Sequence, residues 1–382
     1  MTTDITNWRE PGHNIWGFQN VSKIVPIDVV KKPSQPGVLA SKLRSFDGFR
    51  LNDSDNSSLD LQSFLSQSET DGLVVLKDGV IAYEHYDRTN TETSVHATFS
   101  ISKSITGLLC GILVGQDKLD PDRPVLSYVP EVKGSAYENV TTRQLLDMRS
   151  GIVHDDSSPE YRRATGLYAS KPGEKPTDLH AYIPTIPPSP PVFVDGLDGP
   201  PFEYISANAD LTGWVIERAS GKSFARTLSD SLWQPMGAES DACVTVDHGG
   251  NARAAAGICV TVRDLARLGQ LLVQGGRDIV PESWINDMFD NGDQAAFAAG
   301  SEKSEYDPIF DTVAYRSYWV ASPSQRTLMA SGTNGQLLFV DCSSGVVVAK
   351  TSSQPKRTDW DKVRLTVQAC KEFVRLLNED VQ

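Results

Sequence analysis

The hydrophobic residues of this chain fall into runs of two different periods, and one run begins with a pair of polar residues. From Ile101 to Leu113, six large aliphatic residues recur at helical spacing and small residues fill the other sides, which predicts a helix buried nearly all round. Ser100 and Lys103 stand at its head, and residues i and i+3 share one helix face. We therefore expect both side chains to point into a cavity above the helix N-terminus.

Two pairs of β-prone runs predict antiparallel hairpins near the two ends of the chain. Residues 73–76 and 80–83 flank an Asp-Gly dipeptide, which is a strong signal for a two-residue turn. Residues 337–340 and 346–349 are apolar or β-branched and are separated by turn-forming residues. Both ends of the chain are therefore expected to supply strands.

The middle of the chain is expected to be mainly helical. Amphipathic spacing and Ser or Thr caps predict further helices, at residues 141–146, 211–216, 223–232, 261–274 and 359–378. Residues 1–70 are interpreted as an irregular lead-in that wraps the globule. The proline-rich segment 153–201 is interpreted as a long loop of the kind that forms lids or linkers.

This order of elements predicts a discontinuous α/β domain with an inserted, mainly helical domain. The α/β domain is expected to comprise residues 1–95 and 240–382, and the helical domain residues 96–239. A length of 382 residues and a hydrophobic content of 39% suit one two-lobed globule or two domains.

Charge and cysteine content exclude several classes of function. The net charge of −13 argues against a nucleic-acid or anionic-membrane partner. The N-terminus has no signal-peptide pattern, and no apolar stretch approaches the roughly 18 residues that span a bilayer, so a soluble, cytoplasmic protein is expected. The five cysteines are scattered without CxxC spacing, which favours reduced thiols over disulfides or a zinc site.

The spacing of Ser100 and Lys103 suits nucleophilic catalysis. A serine hydroxyl needs a base, and a lysine can serve when burial lowers its pKa. The alternative is an N-terminal serine cap beside a solvated lysine. About one or two Ser-x-x-Lys matches arise by chance in a chain of this length, and a second occurs at Ser353 to Lys356, where Pro355 disfavours a helix.

Other hydrolytic signatures are missing from the sequence. No Gly-x-Ser-x-Gly elbow occurs, and the six histidines show no metal-ligand spacing. We therefore expect neither a metal nor a cofactor. A Ser-His-Asp triad assembled from distant positions stays open.

Several ordered segments together resemble one family. They are Ser100-Ile101-Ser102-Lys103, Leu145 to Ile152, Tyr204-x-Ser206 and Gly332 to Gln336. With these segments the chain resembles the penicillin-recognising serine hydrolases, which include class C β-lactamases and related family VIII-type esterases. Within them it is similar, over nearly its whole length, to the branch of nylon-oligomer hydrolases.

The resemblance implies a fold and a set of site residues. The fold would be β-lactamase/transpeptidase-like, with an antiparallel sheet flanked by helices. Ser100 would be the nucleophile, Lys103 and Tyr204 would move its proton, and the backbone N–H groups of Ser100 and Thr333 would form the oxyanion hole. Candidate substrate-binding residues are Asn208, Trp319, Gly332, Asn334 and Tyr161.

The implied activity is hydrolysis of short-chain carboxylic esters and of linear amides of the 6-aminohexanoate-oligomer type, through an acyl-enzyme. Residues 331–333 read Ser-Gly-Thr where the superfamily usually has Lys-Thr-Gly, and residues 356–358 read Lys-Arg-Thr where the nylon-hydrolase pattern is acidic. Alternatives are a β-lactamase or D-amino-acid peptidase, and a non-catalytic binding protein of the same fold. The expected partner is a small-molecule substrate, and the resemblance also allows a homodimer.

Overall fold

The helices and strands alternate along almost the whole chain. The computed structural model describes residues 2–52, 58–169, 173–190, 192–300, 302–306 and 309–379. The strands are β1 Ile27–Val30, β2 Leu51–Asn52, β3 Ser58–Leu59, β4 Thr70–Lys77, β5 Val80–Tyr86, β6 Val95–Ala97, β7 Ala242–Thr245, β8 Ile258–Thr261, β9 Ala314–Arg316, β10 Trp319–Ser322, β11 Thr327–Gly332, β12 Gln336–Asp341 and β13 Val346–Ser352. The helices are α1 Asn14–Gly17, α2 Leu61–Gln67, α3 Ile101–Gly115, α4 Thr142–Leu146, α5 Pro159–Ala164, α6 Leu179–Tyr182, α7 Ser206–Ser220, α8 Phe224–Leu228, α9 Val262–Val273, α10 Glu282–Asp290, α11 Gln294–Ala298, α12 Lys303–Tyr306 and α13 Trp360–Glu379.

A seven-stranded antiparallel sheet joins the two ends of the chain. Its strand order is β5-β4-β13-β12-β11-β10-β9, so β13 lies between β4 and β12. Both predicted hairpins are confirmed. Asp78 and Gly79 connect β4 to β5 with φ values of 51° and 81°, the positive values that a tight hairpin turn requires.

Two helices cover the opposite faces of this sheet. Gly269 of α9 lies directly against Val347, whereas Phe373 of α13 stacks near Tyr83, with ring centroids 6.2 Å apart. Val347 and Val348 are consecutive in β13, and Val348 shares its face with Tyr83 through the paired register. Successive strand residues point to opposite faces, so α9 and α13 sandwich the sheet, and both helices occur where the sequence predicts them.

The N-terminal segment is more ordered than its composition predicts. Strand β1 pairs with β7 in a second antiparallel sheet of order β1-β7-β8-β6. Trp8 and Phe18 pack with Phe99 in a small separate core. The expectation of an irregular lead-in over residues 1–70 is therefore wrong for β1 and α2. Pairing of β1 with a strand more than 200 residues away leaves no local signal in the sequence, whereas α2 has a local signal in its cap residue Asp60.

The proline-rich segment 153–201 also contains structure that the sequence reading missed. Helix α5 begins after Ser158, whose side chain accepts a hydrogen bond from the N–H of Tyr161, and helix α6 begins after the cap residue Asp178. Proline at the first position of a helix is favourable, so Pro159 starts α5 rather than breaking it. The predicted helix at 223–232 is α8 followed by a π-helical turn at Ser229–Trp233.

Helix α3 is the buried centre of the molecule, as its pattern predicts. All its residues from Ile101 to Leu113 are buried. Gly107 lies against the carbonyl oxygen of Ser317, and Gly111 lies against the Trp284 ring. These glycines let neighbouring segments approach the helix closely.

None of the helices in the described ranges is long and apolar enough to cross a bilayer.

Replacing Gly107 with alanine should destabilise the protein. Alanine favours a helix by about 1 kcal/mol over glycine, but its methyl group would overlap the Ser317 carbonyl oxygen, and overpacking against fixed backbone outweighs that gain. We expect Gly107→Ala to lower the free energy of unfolding by about 2 kcal/mol, measured by chemical denaturation. Gly48→Ala, where a methyl group meets only ordinary contacts, is the control. Equal stability of the two variants would contradict the close approach.

Candidate active site

Ser100 and Lys103 face each other at the N-terminus of α3. The Lys103 Nζ atom donates to Ser100 Oγ at 3.2 Å and to the carbonyl oxygen of Ala255 at 3.0 Å. Ser100 makes no side-chain cap bond to the helix, and only 1% of Lys103 is exposed. The alternative of a serine cap beside a solvated lysine is therefore wrong.

The residue before Ser100 adopts an unusual backbone conformation. Phe99 has a φ of 47°, which costs about 1–3 kcal/mol for a bulky residue and persists only where packing enforces it. The packing comes from Phe18 and Trp8, whose ring centroids lie 4.8 Å and 6.2 Å from that of Phe99. The N-terminal segment thus holds the turn that presents Ser100.

Burial makes the Lys103 amine a base near neutral pH. Burial lowers its pKa to about 7, repulsion by Arg253 adds to the shift, and attraction to Asp156 and Glu302 opposes it. The amine nevertheless keeps two acceptors, Ser100 Oγ and the Ala255 carbonyl. A neutral amine beside a hydroxyl can accept its proton.

Tyr204 completes the polar centre from the segment just before α7. Its ring centroid lies 4.8 Å from Lys103 Nζ, and Tyr204 and Ser100 line the same cleft. Burial raises the pKa of Tyr204, so the phenol stays protonated while the neighbouring amine is neutral. The two groups therefore differ in protonation in the sense that an acid and a base require.

The end of β11 brings Thr333 beside Ser100. Gly332 lies against the carbonyl oxygen of Thr98, where a side chain would clash, and this contact draws the strand end towards the start of α3. Ser100 and Thr333 both line the cleft. Within the described residues, the N–H of Ser100 is used in no backbone hydrogen bond.

Asp156 is a site residue that the sequence reading did not assign. Burial raises the pKa of this carboxyl, but hydrogen bonds from His154 and Ser206 and attraction to Lys103 outweigh burial and leave the pKa at about 2. The backbone N–H of Ser206 donates to both Asp156 oxygens, at 2.8 Å and 3.1 Å. Asp156 thus holds the Tyr204-x-Ser206 segment and places a negative charge near Lys103.

A buried ion pair supports the Lys103 amine from behind. Arg253 pairs with Asp210 of α7, and the other Asp210 oxygen accepts the N–H of Ala255 at 3.0 Å. Tyr161 donates to Asp210 at 2.7 Å and accepts from Arg253 at 2.9 Å. This network fixes the Ala255 carbonyl that Lys103 contacts. Asp210 is the one charged residue in the buried stretch of α7 from Ala207 to Ile216, and this is the one sequence signal for it.

The cleft divides into two lobes that meet at Ser100. The first, here called the aromatic lobe, is about 120 Å³ and is lined by Tyr204, Glu302, Tyr306 and Trp360. The second, here called the arginine lobe, is about 70 Å³, and four arginines line it together with Asp156 and Tyr161. They are Arg9, Arg162, Arg253 and Arg357.

Three of the predicted substrate-binding side chains are held inside the protein. Asn208 donates to Ser150 Oγ and accepts from the Tyr137 hydroxyl. The Trp319 indole donates to the Ser104 carbonyl, and the Asn334 amide donates to the Gln354 carbonyl. All three are at most 1% exposed, so the prediction that they contact substrate is not supported. Gly332 lines the aromatic lobe, and Tyr161 lines the arginine lobe with its hydroxyl engaged.

The second Ser-x-x-Lys segment does not form a comparable pair. Ser353 donates to Asp71 at 3.0 Å, whereas the Lys356 side chain is 74% exposed. The buried Lys350 of β13 donates to the carbonyl oxygens of Ser68 and Gly335. Both lysines therefore differ from Lys103, whose amine meets a serine hydroxyl.

The chain is similar to known hydrolases over most of its length. A 6-aminohexanoate-dimer hydrolase from Paenarthrobacter ureafaciens is 29% identical over 368 residues, which cover 92% of this chain and 88% of that protein. A solved Bacillus anthracis structure, provisionally assigned as a 6-aminohexanoate-dimer hydrolase, has a TM-score of 0.85 at 23% identity and covers 98% of this chain and 97% of its own. EstCE1, a hydrolase with promiscuous acyltransferase activity, has a TM-score of 0.61 at 15% identity and covers 81% of this chain and 95% of its own.

The match to a family covers most of the chain. The Beta-lactamase family matches residues 65–370, a range that includes Ser100, Lys103, Tyr204 and Thr333. The predicted β-lactamase/transpeptidase-like fold and the resemblance to nylon-oligomer hydrolases are confirmed. The chain therefore belongs to the Beta-lactamase family of serine hydrolases.

Proposed function

We propose that this protein hydrolyses short-chain carboxylic esters and linear amides through an acyl-enzyme on Ser100. The observation that carries the proposal is the buried Lys103 amine, which lies 3.2 Å from Ser100 Oγ and has a pKa of about 7. A serine next to a neutral amine is an activated nucleophile at physiological pH.

In the proposed reaction, Ser100 Oγ attacks the substrate carbonyl carbon while its proton passes to Lys103 Nζ. The oxyanion accepts hydrogen bonds from the backbone N–H groups of Ser100 and Thr333, each worth a few kcal/mol in such sites. Tyr204, whose phenol is protonated, relays a proton to the leaving alcohol or amine as the carbonyl bond to it breaks. Water then attacks the acyl-enzyme with the same groups acting in reverse.

Esters and linear amides are proposed ahead of β-lactams because of the residues at the end of β11. Penicillin-binding members of the superfamily commonly use a lysine there, and this chain has Ser331, which lines the aromatic lobe. The relative from Paenarthrobacter ureafaciens is named as a hydrolase of a linear amide dimer. Nitrocefin turnover comparable to ester turnover would favour the β-lactamase alternative instead.

Ser100→Ala should abolish hydrolysis of p-nitrophenyl butyrate. Removing the nucleophile of a serine hydrolase costs several orders of magnitude, so we expect kcat to fall by at least about 1,000-fold. Ser66→Ala, on the exposed side of α2, is the matched control and should retain the activity. A fluorophosphonate should add to the wild-type protein but not to Ser100→Ala, as measured by intact mass. Retained hydrolysis would contradict the proposal, and absence of labelling would favour a non-catalytic binding protein.

The activity should rise with pH through about 7, because Lys103 must lose its proton to act as a base. The negative charge of Asp156 stabilises the protonated form of the Lys103 amine. Asp156→Asn should therefore lower the pKa of Lys103 and move the acidic limb of the profile of kcat/KM to lower pH.

The matched control for this shift is Asp155→Asn. Asp155 is exposed and is not among the charges that act on Lys103. The acidic limb of the kcat/KM profile of Asp155→Asn should therefore coincide with that of the wild type. A limb in Asp156→Asn that stays in place or moves to higher pH would refute the assignment of Lys103 as the base.

A further inference from the structure

The arginine lobe concentrates positive charge beside Ser100 in a strongly acidic protein. The chain carries a net charge of −13, yet four arginines converge on a space of about 70 Å³. Clustered like charges repel one another, so such a cluster is maintained against an electrostatic cost unless anionic groups balance it.

The described residues place few carboxylates near these arginines to balance their positive charge. Arg253 pairs with Asp210. Within the described part of the chain, Arg9, Arg162 and Arg357 have no carboxylate at ion-pair distance. Asp156 is the one acidic residue that lines the lobe, and its oxygens already accept hydrogen bonds from Ser206.

Two of the guanidinium groups, those of Arg9 and Arg162, are held in place by aromatic rings rather than by counter-charges. Arg9 and Arg162 lie over the Tyr168 ring, with Cζ atoms 5.6 Å and 5.4 Å from its centroid. Arg9 also lies 5.0 Å from the centroid of Phe99. Stacking on rings fixes a guanidinium group while leaving most of its N–H donors available. Arg9 uses its Nη1 atom to donate to the Tyr168 hydroxyl at 2.8 Å.

Two buried N–H donors of the lobe also lack a hydrogen-bond partner in the described part of the chain. The Nε atoms of Arg162 and Arg253 are buried and have no hydrogen-bond partner among the described residues, and an unpartnered buried donor is costly. Burial lowers the pKa of Arg9 to about 10, and the positive charges of the other three arginines add to the shift. A bound anion would satisfy the donors and relieve the repulsion.

We propose that the arginine lobe binds a carboxylate at the acyl end of the substrate, so that the preferred substrates are half-esters and half-amides of dicarboxylic acids. The inference rests on the proposed hydrolysis at Ser100. Arginine suits this role because its planar donors match the two carboxylate oxygens, and the small lobe fits a group of that size. Both lobes share Ser100, Thr333 and Arg357, so an anchored carboxylate would leave the scissile bond over Ser100.

Matched substrate pairs test this proposal. On the acyl side, p-nitrophenyl hydrogen adipate and suberate are compared with their ω-amides. On the leaving-group side, 3-acetoxybenzoate is compared with 3-acetoxybenzamide, and a preference confined to this pair would contradict binding at the acyl end. In the adipate or the suberate pair we expect the wild-type kcat/KM for the carboxylate to exceed that for the amide by about tenfold or more, the value of a charged hydrogen bond. The preference should weaken as salt concentration rises.

The variant Arg162→Gln/Arg357→Gln removes two of the arginines that have no counter-charge. The ratio of kcat/KM between carboxylate and amide should fall at least about fivefold in this variant. Arg226→Gln is the control, because Arg226 is exposed on α8, remote from the cleft, and pairs with Asp230. A wild-type ratio near one in every pair, or a ratio that the double variant leaves unchanged, would overturn the carboxylate site while Ser100-dependent turnover of the amides upholds the proposed function.

A binding measurement separates the two proposals if no ester is turned over. In Ser100→Ala, calorimetry with monoethyl adipate should detect binding that is lost when Arg162→Gln/Arg357→Gln is added. That result would support the carboxylate site even if the proposed hydrolysis fails. Absence of binding together with absence of a carboxylate preference would overturn the site.

Discussion

The withdrawal of one amine from water is the constraint on which the candidate site depends. Lys103 lies on a helix that is buried on every side, and its amine would be charged if it reached solvent. Its neutral form is favoured because burial removes the water that would solvate its charge and because Arg253 repels a second positive charge nearby. A carbonyl and a hydroxyl accept the hydrogen bonds of the buried amine. The buried position of α3 and the Arg253–Asp210 pair therefore serve one chemical requirement.

The parts of the fold with local signals could be predicted from the sequence. The period of residues 101–113, the Asp-Gly turn and the threonine cap at Thr141 each involve neighbouring residues, and all three are as expected. Strand β1 was not predicted, because its partner β7 lies more than 200 residues away in the sequence. The predicted division into residues 1–95 with 240–382 and 96–239 stays a prediction.

The candidate site likewise contains residues that the sequence indicates and residues that it does not. Ser100, Lys103, Tyr204 and Thr333 occur in recognisable segments, and the structure brings them together. Asn208 and Trp319 also stand near such segments, but their side chains satisfy buried polar groups elsewhere. Asp156 and the arginine lobe have no motif, because the role of each charge depends on which other charges the fold places beside it. A net charge of −13 does not indicate that the protein has a cationic cleft.

The position of β13 in the central sheet affects how the protein can be made. Lys350 of β13 contacts Ser68, 282 residues earlier in the chain, and β13 must insert between β4 and β12. During synthesis on the ribosome, the apolar strand β4 emerges long before its inner neighbour exists, and pairing between such distant segments is slow and exposes the nascent chain to aggregation. Thr333 and Arg357 also emerge more than 200 residues after Ser100, so a ribosome-bound fragment that lacks them cannot assemble the cleft.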